Sequence, residues 1–191
     1  NIDKLPVNES TQLQNPESPY GFTKLVGERL IEDIAKADPK INSIILRYFK
    51  PVGAHVSVKT GEDPRNKPNN LAPLITQTAI GRINELIIHG NDYPTRDGTC
   101  IRDYVHVSDI ADAHVKAMDH LINKRNTKNC DVFNLGTGKG VSVMEVIHAF
   151  EKVSGKKLNY KIGERRSGDI SAIYSDSTKA EKILGWIPKH N

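Results

Sequence analysis

Residues 41–49 read Ile-Asn-Ser-Ile-Ile-Leu-Arg-Tyr-Phe, a mostly apolar, β-branched run between turn formers, and this stretch most narrows the folds open to the chain. Such a run belongs to a strand buried on both faces, as in a parallel sheet covered by helices. A helix precedes it. Ser18 suits an N-cap, Pro19 suits the first helical position, and Leu25, Val26, Leu30, Ile31 and Ile34 recur along the helix until Asp38-Pro39. Helix followed by strand is half of a βαβ unit, so an α/β fold is expected.

The pattern continues beyond it. Residues 51–71 are rich in Pro, Gly, Asn and charge, the mark of a long functional loop. A helix is expected from Leu71 to about Ile83, short strands at 85–89 and 103–107, and turns between Gly90 and Thr99. An amphipathic helix containing Asp109, Ala113, Val115 and Met118 should end near Asn123, and Cys130–Leu135 reads as a strand. Ser142-Val143-Met144-Glu145 is a capping box opening a helix that reaches about Ser154. A strand at Leu158–Ile162, a basic loop with Arg165 and Arg166, and a helix from Ser177 to Leu184 complete the series. Gly136-Thr137-Gly138-Lys139-Gly140 matches neither the P-loop nor the dinucleotide pattern, and a tight strand-to-helix turn is favoured there over direct phosphate binding.

With 191 residues, the chain has room for one good core or two small ones. No apolar run is long enough to cross a bilayer, and nothing resembles a signal peptide. Cys100 and Cys130, the two cysteines, have no metal-ligand spacing, which suits a reducing compartment, the cytoplasm. A net charge of +4 invites an anionic partner. The basic residues are scattered rather than striped and no aromatic platform accompanies them, so a small anionic ligand is favoured over nucleic acid. The chain starts at Asn1 and stops at Asn191 just after a helical pattern, and is expected to be a piece of a longer protein.

Chemistry enters at Ser18-Pro19-Tyr20-Gly21-Phe22-Thr23-Lys24, where a phenol and an ammonium four residues apart share a helix face. An ammonium beside a phenol favours the phenolate, a base for proton transfer. This pair alone is commonplace, and its company decides. Arg47-Tyr48-Phe49-Lys50-Pro51-Val52-Gly53-Ala54-His55, Pro68-Asn69-Asn70-Leu71 and Gly90-Asn91-Asp92-Tyr93 through Arg102-Asp103-Tyr104-Val105-His106-Val107 and Asp109 occur with it. Asn134-Leu135-Gly136-Thr137-Gly138 and Arg165-Arg166 with Gly168-Asp169 follow. Together these stretches strongly resemble the UDP-galactose 4-epimerases, the epimerase branch of the extended short-chain dehydrogenase/reductases, over essentially the whole chain.

The resemblance implies the later part of a doubly wound NAD-binding Rossmann domain, residues 1–50 with the 108–123 helix packed back on it. A smaller α/β substrate domain for the UDP-sugar would occupy most of 51–191. It implies interconversion of UDP-galactose and UDP-glucose with tightly held NAD. Tyr20 would be the base, Lys24 its tuner and a nicotinamide-ribose ligand, and Tyr48 would lie at the nicotinamide. Arg102 and Arg166 suit the diphosphate, and Asn70, Leu71 and Tyr104 belong with the substrate anchors. Ile87, Ile88, His89 and Val143 would surround the uracil, and Asp169 would take a ribose hydroxyl. Ile173 would gate the sugar pocket, leaving N-acetyl sugars open. Lys50, also at the substrate, departs from the family's R-Y-F-N-P motif, where Asn stands; an ammonium only donates and adds charge.

The family's glycine fingerprint does not occur in these residues. The 191-residue segment alone is therefore expected to be inactive, to bind NAD poorly, and to aggregate through an uncovered apolar face. A homodimer is possible from the resemblance. A neighbouring UDP-glucuronate epimerase, decarboxylase or 4,6-dehydratase, and a non-catalytic nucleotide-sugar module, are the alternatives.

Overall fold

A computed structural model describes residues 4–13, 16, 18–66 and 68–190. Asn1 and Asn191, and Lys67 of the expected 51–71 loop, lie outside the described residues. Helix α1 (Pro19–Ala37) begins where Ser18 Oγ accepts from the Gly21 amide at 3.1 Å, with Pro19 at its first position. It leads to strand β1 (Ser43–Tyr48), which pairs in parallel with β6 (Cys130–Leu135), Ser43 opposite Cys130 and Tyr48 opposite Leu135. The Arg47 guanidinium ties β1 to α1 through two bonds to Glu28, at 2.8 and 2.7 Å.

Three further strand pairs position the site. Strand β2 (Lys50–Val52) runs parallel to β5 (Tyr104–His106), and β3 (Leu86–His89) runs parallel to β8 (Tyr160–Gly163). Strand β4 (Ile101–Arg102) lies antiparallel to β7 (Val141–Ser142). The helices between them are α2 (Leu71–Ala79), α3 (Val107–Ile122), α4 (Val143–Ser154) and α5 (Thr178–Leu184). The Ser142–Glu145 capping box forms in full, and Gly155 closes α4 in the left-handed conformation.

Two cores result. Ile110, Ala113 and Ala117 of α3 meet Phe133 and Leu135 of β6, Val105, Ala180, Leu184 and Trp186, with Ile44 and Leu46 of β1 packed against them. Ile75, Leu86, Ile88, Ile147 and Leu158 form the other. The first core thus draws on residues 130–135 and 178–186 as well as on the stretch before residue 51.

Several expectations are corrected. Helix α2 stops at Ala79 rather than near Ile83, because Gly81 turns the chain out at φ +78°. Helix α3 contains Asp109, Ala113, Val115 and Met118 and ends at Ile122 as expected; its buried face is Ile110, Ala113, Ala117 and His120, with Val115 and Met118 66% and 62% exposed. Strand β8 starts at Tyr160 rather than Leu158, whose amide donates to the Glu151 carboxylate at 2.9 Å instead of joining the ladder. Strands β2, β4 and β7 have two or three residues each and were not expected. Among the described residues, no helix is long and apolar enough to cross a membrane.

Candidate active site

Strands β4 and β5 carry Arg102 and Tyr104 on either side of Asp103, and the alternation of a strand sends neighbours to opposite faces. Asp103 is fully buried and accepts five hydrogen bonds: from the Thr137 amide and hydroxyl at 2.7 Å each, the Gly138 amide at 3.1 Å, the Ser175 amide at 2.9 Å and the Ser175 hydroxyl at 2.7 Å. The glycine loop is therefore an anion cradle filled by the protein's own carboxylate. A Cβ on Gly136 would come within 2.2 Å of Ser175 Oγ and 2.3 Å of Asp103 Oδ2, so only glycine fits. This agrees with the structural reading of that loop and frees Arg102, next in sequence, to face the site.

A narrow cavity of about 120 Å³ gathers Lys50, Leu71, Ile87, Ile88, His89, Arg102, Tyr104, Val143, Arg166 and Asp169. A wider one of about 500 Å³ contains Ile173 and Tyr48 and shares Lys50 and Arg102 with the first. Asn70 instead borders a third, about 340 Å³, with Lys50 and Glu62 beneath the loop after β2. Every expected substrate residue except Asn70 and Ile173 thus meets in the narrow cavity.

The two arginines of the basic loop part company. Arg165 bonds Asp92 at 2.7 Å and lies over the Tyr93 ring at 4.3 Å, whereas Arg166 lines the cavity. The Arg102 guanidinium donates to the carbonyls of Ile101 and Ile170 at 2.9 and 2.6 Å and to Asp169 at 3.4 Å. His89 Nδ1 donates to the Glu164 carbonyl at 3.2 Å, which fixes the ring at the cavity wall. Burial pushes the Tyr104 phenol up to about 12, so it stays a hydroxyl donor. Burial, then Arg102, push the Lys50 ammonium down; Arg166 adds to this, and Glu62 and Asp169 oppose it.

Tyr20 and Lys24 sit on the first turns of α1, with Nζ 5.0 Å from the ring centroid. Tyr20 is 72% exposed, and neither residue lines any of these three cavities. Tyr48 ends β1 and is half-exposed, its ring 6.2 Å from His114. A phenol and an ammonium on one helix face supply the hydrogen-bond donors that a ribose of a dinucleotide would need. Sequence reasoning missed Cys100 and Leu74 in the narrow cavity wall, and Asn8, Thr11 and Phe49 in the wider one. Cys100 lies inside the Gly90–Asp109 stretch and Phe49 inside the Arg47–His55 stretch, and both could have been read there; Leu74, Asn8 and Thr11 carry no motif.

Residues 1–191 match the family described as GDP-mannose 4,6 dehydratase. The UDP-glucose 4-epimerase of Pisum sativum is 52% identical over 188 residues, 98% of this chain and 53% of the relative. The UDP-glucose 4-epimerase from Bifidobacterium longum, solved with NAD+ and UDP, superposes with a TM-score of 0.93 at 46% identity, over 99% of this chain and 55% of that one. The corresponding structure from Stenotrophomonas maltophila, with NAD and formylated UDP-arabinopyranose, gives 0.95 at 44% identity, over 100% and 56%. The chain spans about half the length of the curated relatives it matches and shares their α/β Rossmann-like fold over that half.

Proposed function

The chain belongs to the GDP-mannose 4,6 dehydratase family, and from that premise we propose that the protein interconverts UDP-galactose and UDP-glucose. Bound NAD supplies the reversible hydride exchange at the sugar C4. Tyr20, as phenolate, takes the proton of the 4-hydroxyl and returns it once the keto sugar has presented its other face. Lys24 holds the nicotinamide ribose and favours the phenolate, and Tyr48 flanks the nicotinamide.

The narrow cavity holds the nucleoside diphosphate. Ile87, His89 and Val143 flank the uracil, Asp169 accepts from a ribose hydroxyl, and Arg102 and Arg166 offer fork donors to phosphate oxygens. The sugar enters the wider cavity past Ile173. A sugar that must rotate is best held through the part that stays still, so the binding energy belongs on the nucleotide.

What supports this reading most is that residues scattered from 50 to 169 meet in one cavity with two arginines on its wall. Tyr20→Phe in the full-length protein should lower kcat by about 10²–10⁴ with UDP affinity unchanged. Turnover within a few-fold of wild type would remove Tyr20 from the mechanism.

A 4,6-dehydratase is the second reading, favoured by the family's description. Loss of the 6-hydroxyl needs an acid near C6. Among the described residues of the wider cavity the one carboxylate is Asp103, which the glycine loop already engages. A deoxygenated C6 in the product, read by NMR, would favour the dehydratase. The free thiols of Cys100 and Cys130 suit the cytoplasm, and the homodimer implied by the resemblance is tested by sedimentation of the full-length protein.

A further inference from the structure

Lys50 stands where the narrow and wide cavities join, beside Arg102, the other residue common to both. A nucleotide sugar with its base in one cavity and its sugar in the other passes its diphosphate across that junction. The cations near it differ in how far they are already neutralised. Arg47 is paired with Glu28, and Arg102 shares Asp169 and two carbonyls. The Lys50 ammonium donates to a neutral group, the Asn70 side-chain oxygen, at 2.9 Å.

Asn70 is engaged at both ends. Its side-chain nitrogen donates to Glu62 at 3.0 Å, leaving the oxygen turned to Lys50. A carboxylate accepts only, so Glu62 decides which end of the amide faces the site. The three groups form a relay from the loop after β2 to the cavity junction.

We propose that Lys50 is a third phosphate-contacting cation of this site, and that Asn70 and Glu62 are positioning residues that act through it. This rests on the nucleotide-sugar reading. Asn70, expected from the sequence to touch the substrate itself, has its oxygen and nitrogen committed to Lys50 and Glu62. The ammonium that it steadies reaches the anion instead. Its lowered proton affinity fits a half-buried cation near two arginines, a position that a diphosphate would relieve.

Calorimetric titration of the full-length protein with UDP and with uridine tests this. Lys50→Met should weaken UDP by about tenfold, the scale of one charge-assisted hydrogen bond, with uridine unchanged. Lys50→Arg should retain most of the UDP affinity, which shows that the site still folds around a cation. Asn70→Ala and Glu62→Ala should each weaken UDP in the wild-type background and have no further effect beside Lys50→Met. Unchanged UDP affinity in Lys50→Met, or an equal loss for uridine, overturns the assignment of Lys50. An Asn70→Ala penalty of the same size in both backgrounds overturns the positioning role and makes Asn70 a direct ligand. A wild-type protein that binds neither probe overturns the nucleotide-sugar reading, and this proposal with it.

Discussion

At the scale of single residues, the most consequential side chain outside the proposed chemistry is Asp103. It is fully buried, and its five donors come from two loops, 34 and 72 residues further along the chain. Removing its charge leaves those donors facing a group that can only partly accept. Asp103→Asn should destabilise the protein by about 2–4 kcal/mol, since a buried carboxylate hydrogen-bonded on every side is costly to disrupt. Denaturant unfolding of the full-length variant measures this, and a loss below about 1 kcal/mol would show that the loop finds other partners. The same residue explains why the Gly136–Gly140 stretch has the composition of a phosphate cradle: its amides do bind an anion, one that is covalently part of the chain.

At the scale of elements, the loop between β2 and α2 holds a strained backbone position. Val58 adopts φ +59° on an exposed turn, a conformation that crowds any branched side chain. Its amide closes the turn onto the His55 carbonyl at 2.9 Å, so the backbone is held there despite the side chain. Val58→Gly should stabilise the protein by roughly 0.5–1 kcal/mol, relief of side-chain strain less the greater entropy of unfolded glycine. A urea midpoint that does not move or falls would show that the turn is unstrained. Elements with local punctuation were legible in the sequence: Ser18-Pro19 opens α1, Ser142 and Glu145 box α4, and the apolar runs of β1 and β6 fall where expected. What was not legible depends on distance. Strands β2, β4 and β7 are too short for a period to show, and they exist because a partner strand from elsewhere supplies the ladder. The Glu62–Asn70–Lys50 relay likewise joins strand β2 to two distant points of the loop after it, and no spacing rule reaches it.

At the scale of the molecule, several structural carboxylates tie the fold to pH. Burial pushes Asp109 up, but the His190 amide and ring and the Lys189 amide outweigh it and hold the carboxyl below its ordinary 3.8. Burial likewise opposes Asp97, which Ser142 and Thr99 hold down, and Arg96 holds Glu145 below 4.5. A carboxyl depressed in the folded state adds stability above its unfolded value and loses it as pH falls through the folded one. The full-length protein should therefore lose stability progressively below about pH 5, and Asp109→Asn should flatten part of that slope. Urea midpoints between about pH 7 and 3.5 check this; a flat profile would mean that the three groups titrate alike folded and unfolded.

The pairing of β1 with β6 has a consequence for how the protein is made. Ser43 finds its partner at Cys130, on a strand that follows β1 by more than eighty residues. A ribosome adding about 5–20 residues per second completes β1 several seconds before β6 exists to receive it. For that interval the strand edge and the apolar side chains of Ile44 and Leu46 stand without the first core. While residues 49–129 are being added, β1 therefore lacks the strand that pairs with it here, and its apolar side chains must wait for that partner.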